Sequence, residues 1–258
     1  MENIRICEKE IKKNKNEDLL ELDNYRRSPM PIAGASRPKK CYTTPSGEIY
    51  FKFGLTNNEL CAEMFAFSIG IQLGISIAKT RLAVSSDELG IASYDIGEYT
   101  EPDDRISYSI KDFIHLKGFT EMCLFDYLIM NEDRHAINWG ISDKKVAPLY
   151  DHNYCFGGPT PIVDISHFMK IVTSAFYVNN EYAQNYDTLL KYFVKYHKQE
   201  VYKFLEELKH IKTISINALT KRMPDDCHRL NKFIIERKQY MIRKVGEYSA
   251  RQINDNEF

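Results

Sequence analysis

One stretch constrains this chain more than any other: Asn131-Glu-Asp-Arg-His-Ala-Ile-Asn-Trp-Gly140, followed shortly by Ala147-Pro-Leu-Tyr-Asp151. It sets an acid, a basic pair, an amide and a second acid at the intervals that magnesium-dependent phosphoryl transfer requires. Such a reaction needs an Asp to orient the incoming hydroxyl and accept its proton, and hard oxygen ligands for the metal that offsets the triphosphate charge. Asp133 suits the first task. Asn138 and Asp151 suit the second, because magnesium takes only one or two carboxylates and completes its octahedron with phosphate oxygens and water.

Local patterning predicts a scaffold for that loop. Phe119 to Met130 carries Phe119, Met122, Cys123, Leu124, Tyr127, Leu128, Ile129 and Met130 at mainly helical spacing, as a buried helix would. Beyond the loop, Asn138 to Ser142 and Lys145 to Leu149 read as two short strands split by the turn-like Asp143-Lys144. Read blandly, Asp-Arg-His is a polar surface turn or helix cap. A buried helix before it and a hairpin ending in an acid after it favour chemistry instead. The interval from Asp133 to Asn138 equals that of the H-R-D-x-x-x-x-N catalytic loop of protein kinases.

Phosphoryl transfer also demands a phosphate-cradling loop, a lysine on a strand and a glutamate on a helix, and the N-terminal third offers all three in order. Pro31-Ile-Ala-Gly-Ala-Ser-Arg-Pro-Lys-Lys40 places Gly34, Ala35 and Ser36 where backbone amides can approach phosphate, beside Arg37, Lys39 and Lys40. Taken alone it reads as a basic turn. Gly47 to Gly54 follows a Ser-Gly turn and reads as a strand, with Lys52 between two phenylalanines. A lysine there must reach solvent or a buried anion. Glu63 is the candidate anion, on a helix expected from an Asn58 cap to Leu73, where it shares a stripe with Phe67 and Gly70. Glu59, one turn earlier, is the rival. Leu89 to Ile96 reads as the last strand of a small lobe, and the charged, Pro-containing Tyr99 to Ile106 as a lobe boundary.

These motifs together resemble the HipA-type serine/threonine kinases, including the shorter CtkA-like members. The core Asp-Arg-His-x-x-Asn is also similar to that of phosphoinositide and related kinases. The resemblance implies an ATP-dependent enzyme using magnesium, with Asp133 as base, Asn138 and Asp151 as metal ligands, and Lys52 paired with Glu63. The nucleotide would rest on Gly34, Ala35, Ser36, Arg37, Lys39 and Lys52 and on a hinge at Tyr94, Asp95 and Ile96. His135 occupies the position two after the base where typical protein kinases carry a phosphate-touching lysine; it would donate there when protonated or brace the loop. The acceptor implied is a Ser or Thr of a protein, a translation-related one such as an aminoacyl-tRNA synthetase in toxins of this family, held in check by an antitoxin partner. A nucleotide-binding pseudokinase and a lipid or small-molecule kinase are the competing readings. Where HipA carries an autophosphorylated serine, three residues before the loop glycine, this chain has Pro31.

Strand-rich before helix-rich segments predict an α+β, two-lobed protein-kinase-like fold, a β-rich lobe with one main helix over 1–98 and a helical lobe over 99–258. Tyr186 to His197, Glu200 to His210 and Cys227 to Tyr248 read as amphipathic helices of the second lobe. At 258 residues and a net charge of −1, the chain can bury a large core and advertises no direct grip on nucleic acid. No apolar run approaches a membrane span and the start lacks a signal core, so a cytoplasmic protein with no membrane contact is expected. Six scattered cysteines with no C-x-x-C pair suggest neither zinc nor a disulfide framework.

Overall fold

In a computed structural model, residues 19–29, 37–160, 176–178 and 185–255 are described. The strand predicted around Lys52 forms as β4 (Gly47–Phe53), after β1 (Leu20–Glu21), β2 (Arg26–Arg27) and β3 (Lys39–Thr44). β5 (Thr80–Ser85) and β6 (Glu88–Tyr94) complete a six-stranded sheet of order β1-β5-β6-β4-β3-β2. Alternation along β4 sorts its side chains by face. Ile49 and Phe51 enter a small core with Leu22, Tyr42, Ala83 and Ala92, which sends Lys52 to the opposite face. In the antiparallel β3–β4 register Lys39 stands directly across from Lys52, so both lysines serve the same side of the sheet.

Helix α1 (Asn57–Gln72) follows β4. Its cap is Thr56, two residues earlier than the Asn58 expected from sequence, and Thr56 forms a reciprocal capping box with Glu59. Asn58 is instead buried, its amide donating to the Gly158 carbonyl and its oxygen accepting from Arg229 Nη2 at 2.8 Å. After α1 the chain is stitched to the segment that leads into Asp151. Leu149 N donates to Ser76 O at 2.9 Å and Ala78 N to Leu149 O at 2.8 Å, around a parallel bridge between Ile77 and Leu149.

The second lobe is helical. β7 (Tyr108–Ser109) and the one-turn α2 (Ile110–Phe113) lead into α3 (Phe119–Ile129), the buried helix expected from its apolar spacing. The hairpin after the loop is shorter than predicted, β8 (Ile141–Ser142) and β9 (Lys145–Val146), turning through Asp143 and Lys144 at positive φ. Residues 136–138 wind into a 3-10 turn and Leu149 pairs with Ile77, so neither end is free to extend the hairpin. A short strand β10 (Phe176–Tyr177) pairs with β7, and Phe113, Phe119, Trp139 and Phe176 pack edge to face or tilted beneath the loop.

Helices α4 (Tyr186–Tyr196), α5 (Lys198–Lys209), α6 (Asn217–Arg222) and α7 (Pro224–Asp255) close the lobe. α7 begins at Pro224, earlier than the predicted Cys227, because a proline fits the first helical turn. It is bolted to α3 by fully buried Arg237, which donates from Nη2 to Tyr127 O at 2.8 Å and lies 4.4 Å over the Tyr127 ring. The fold is therefore an α+β, two-lobed kinase-like one. Among the described residues no helix is long and apolar enough to cross a membrane.

Close approach of β4 and β6 requires a residue without a side chain at position 90, where a Cβ would run into the Lys52 carbonyl oxygen and the Phe51 ring. Gly90→Ala should cost about 1–3 kcal/mol of stability through overpacking. Chemical denaturation of the variant against wild type reads this directly, and an unchanged midpoint would contradict the packing described.

Candidate functional site

Where a helix packed on all sides must carry an acid, the acid needs a partner, and α3 carries Asp126 at full burial. The partner is Arg134, itself without side-chain exposure. Its Nε meets Asp126 Oδ2 at 2.9 Å and its Nη2 meets Oδ1 at 3.0 Å, a two-point fork. The remaining nitrogen, Nη1, donates to the carbonyls of Asn138 and Tyr150. One guanidinium thus fixes the end of α3, the 3-10 turn and the approach to Asp151. Asn131 Nδ2 and Tyr186 OH add further donors to Asp126 at 2.9 and 3.2 Å. Sequence reading assigned Arg134 no task beyond a polar tripeptide, although an acid inside an apolar helix was the signal that a buried cation had to exist nearby.

On this frame Asp133 and Asn138 come together. Asn138 Nδ2 donates to Asp133 O at 2.8 Å and to Asp133 Oδ2 at 3.1 Å, while Asp133 N donates to Asn131 Oδ1 at 3.0 Å. Because its nitrogen is spent on Asp133, the Asn138 amide turns its oxygen away from that residue. His135 Nε2 lies 3.5 Å from Asp133 Oδ1 and its side chain is about half exposed. Burial pushes the Asp133 carboxyl above the ordinary carboxylate value; the Asp151 charge adds to this, and His135 and the Asn138 hydrogen bond work against it.

Lys52 meets Glu63, the acid expected of it, and also Asp151 and Asn153, which were not expected as its partners. Its Nζ lies 3.0 Å from Glu63 Oε1, 2.6 Å from Asp151 Oδ1 and 3.3 Å from Asn153 Oδ1. Burial alone would push the ammonium down, yet Glu63 and Asp151 outweigh it and hold the pKa above the ordinary lysine value. Glu63 is fixed in turn by the His152 amide, which donates to Oε2 at 3.0 Å. Asp151 adopts a left-handed backbone, φ 58°. Burial raises its pKa, but the charges of Lys52 and Lys39 prevail and keep it below the usual carboxylate value; Lys39 Nζ is 3.7 Å from Oδ2.

The rival acid, Glu59, takes a different partner. It accepts from Arg37 Nε and Nη2 at 3.1 and 2.8 Å rather than from Lys52. Gly34, Ala35 and Ser36 lie outside the described residues. At the expected hinge, Tyr94 N donates to Lys79 O at 2.9 Å and Asp95 N to Glu48 O at 3.0 Å, so those two amides are committed to the sheet. Asn153, absent from the sequence reading, stands with Lys52.

Asn138 and Asp151 fit magnesium by donor chemistry, one neutral oxygen and one ionised carboxylate, both hard. Among the described residues no three His, Cys, Asp or Glu side chains form a metal-binding cluster, and a phosphate-bridging magnesium does not need one.

No protein-family model matches this sequence, and neither does any curated protein. Solved structures do. The proinflammatory kinase CtkA of Helicobacter pylori superposes with a TM-score of 0.69 at 18% identity, over 92% of this chain and 99% of CtkA. Shewanella oneidensis HipA, solved with HipB and its operator DNA as a toxin-antitoxin system, superposes with a TM-score of 0.52 at 12% identity, over 94% of this chain and 70% of HipA. This chain has the fold of those HipA-family kinases.

Removing the cation under the loop tests the frame. Arg134→Met leaves Asp126 buried with its charge unmatched and should destabilise the protein by about 3–5 kcal/mol. Urea unfolding measures the loss, and wild-type stability in the variant would overturn the assignment of Arg134 as the loop's anchor.

Proposed function

We propose that this protein is an ATP-dependent, HipA-like kinase that transfers the γ-phosphate to a hydroxyl, a Ser or Thr of a protein. The observation that carries the reading is the convergence of Lys52 on both Glu63 and Asp151, facing a loop in which Asn138 holds Asp133. A lysine between a helix glutamate and a metal-binding aspartate is the arrangement that kinase chemistry requires.

In this reading Lys52 and Lys39 bind the phosphate tail, and exchange part of their contact with Asp151 for phosphate oxygens when nucleotide enters. Glu63 keeps Lys52 in place during that exchange. Asn138 and Asp151 hold magnesium, which offsets the charge of the triphosphate when bound. Asp133 receives the acceptor hydroxyl in hydrogen-bond contact and takes its proton as the oxygen attacks the γ-phosphorus and the bond from that phosphorus to the bridging oxygen breaks, releasing ADP. His135, half exposed beside Asp133, braces that carboxylate or donates to phosphate when charged. The adenine rests against the hinge at Tyr94, Asp95 and Ile96. An antitoxin-type protein partner for this chain is part of the same proposal, prompted by HipB on the HipA neighbour. Such an inhibitor would then co-purify with it from the native source.

Asp133→Ala should reduce phosphate incorporation at least about a hundredfold, the contribution typical of a positioned base, while magnesium-ATP binding by calorimetry stays within about twofold. Full incorporation by the variant would exclude Asp133 as base. Binding without transfer by the wild type, with a cell lysate supplying acceptors, would make the protein a nucleotide-binding pseudokinase; label in a lipid fraction would reassign the acceptor.

The direction of the Asp133 shift predicts a pH dependence. A base must be ionised, and its pKa is raised above 3.8. Activity should therefore be complete above the raised pKa and fall as pH drops through it, at a higher pH than an unperturbed aspartate would allow. The acid limb of kcat/KM against pH measures this, and Asp133→Glu should move that limb.

A further inference from the structure

Glu59 spends more hydrogen bonds than its place in the helix needs. The capping box is complete once Oε2 accepts from Thr56 N, at 2.8 Å. Its other oxygen, Oε1, accepts from Arg37 Nε and Nη2 and from Asn153 Nδ2 at 3.2 Å. The carboxylate has no exposed surface, and an anion buried so deeply persists only when its lone pairs are filled. Burial raises its pKa, but the donors from Thr56, Arg37 and Asn153 together leave it lowered.

Asn153 faces both ways. Its nitrogen gives to Glu59 while its oxygen takes from Lys52 Nζ at 3.3 Å, and the residue is 2% exposed. Only an amide of this length offers a donor to one neighbour and an acceptor to the other. An aspartate would set a second anion against Glu59, and a leucine would strip both neighbours of a bond. We infer that Glu59 and Asn153 form a buried relay that positions Lys52 and anchors Arg37, so that the strand lysine and the C-terminal flank of the phosphate loop are set by one hydrogen-bonded chain. Both act as positioning residues of the kinase site, and the inference rests on that reading. Arg37 is on this view an anchor of the loop rather than a phosphate ligand, its fork already closed on Glu59. Lys39 and Lys52, which share Asp151, are left to meet the phosphates.

The relay predicts a particular kinetic signature. Asn153→Leu and Glu59→Gln should each raise KM for ATP about tenfold and change kcat less than about threefold, since they displace a nucleotide-binding group and leave the base untouched. The double variant should lose little more than either single one, because linked residues are not additive. Arg37→Ala should raise KM for ATP, and Arg37→Lys, which keeps the charge beside Glu59, should recover part of the loss. Thermal unfolding midpoints taken in parallel separate positioning from folding. Multiplicative losses, or reduced stability with KM unchanged, would overturn the relay. A second readout needs no catalysis: amide hydrogen exchange over residues 37–41 should accelerate in Glu59→Gln and in Asn153→Leu, and unaltered exchange in both would also overturn it. If the wild-type protein transfers no phosphate, the kinase reading fails, and the exchange experiment still decides the relay.

Discussion

The guanidinium of Arg134 is the interaction on which the rest of this site depends. It is buried with an acid from a helix that otherwise excludes polar groups, and it converts that obligation into geometry by reaching the carbonyls of Asn138 and Tyr150 as well. Burying such a pair stabilises little in itself, because desolvation of both ions consumes most of the Coulombic gain. What it supplies is a unique arrangement. Asp133 and Asn138, one residue before the arginine and four after it, have their loop pinned from below, and Asp126 holds Asn131 in the same grip.

Above that loop, charge is organised by the pleat of the sheet. Lys39 and Lys52 oppose one another across β3 and β4, a pairing that repels unless an anion lies between them. Asp151 supplies the anion to both, and Glu63 supplies a second to Lys52. The left-handed backbone at Asp151 belongs to the same economy: a non-glycine residue there carries a conformational cost that its surroundings must hold in place. The electrostatic cluster, the hydrogen bond from His152 N to Glu63 and the seam along Leu149 do that holding.

Much of this was legible in the sequence, and the misses have physical causes. Apolar spacing located α3 to within a residue, and the Lys52–Glu63 pair followed from the cost of a lysine in an apolar strand. The start of α1 was misplaced because Thr56 and Asn58 are both good caps, and only the structure shows Asn58 buried against Gly158 and Arg229. The hairpin strands were drawn too long because short apolar runs carry no sign of where they pair; Leu149 looked like a hairpin residue and bonds with Ser76 and Ala78 instead. Arg134 and Asn153 escaped for a different reason. Their partners lie 8 and 94 residues distant: Asp126 in its apolar helix called for a buried cation without saying which residue supplies it, and nothing near Asn153 in the sequence pointed to Glu59.

The seam between Leu149 and residues 76–78 has a mechanical consequence. Its bonds fasten the acid at 151 to the chain that leaves α1, so Asp151 is held beside Lys52 and Glu63 by main chain as well as by charge. Arg134, anchored to α3, donates to Tyr150 O as well as to Asn138 O, so the same acid is also tied to the loop of Asp133 and Asn138. A shift of either lobe therefore reaches position 151 through hydrogen bonds to the main chain, with no side chain of the charge cluster needed to pass it on.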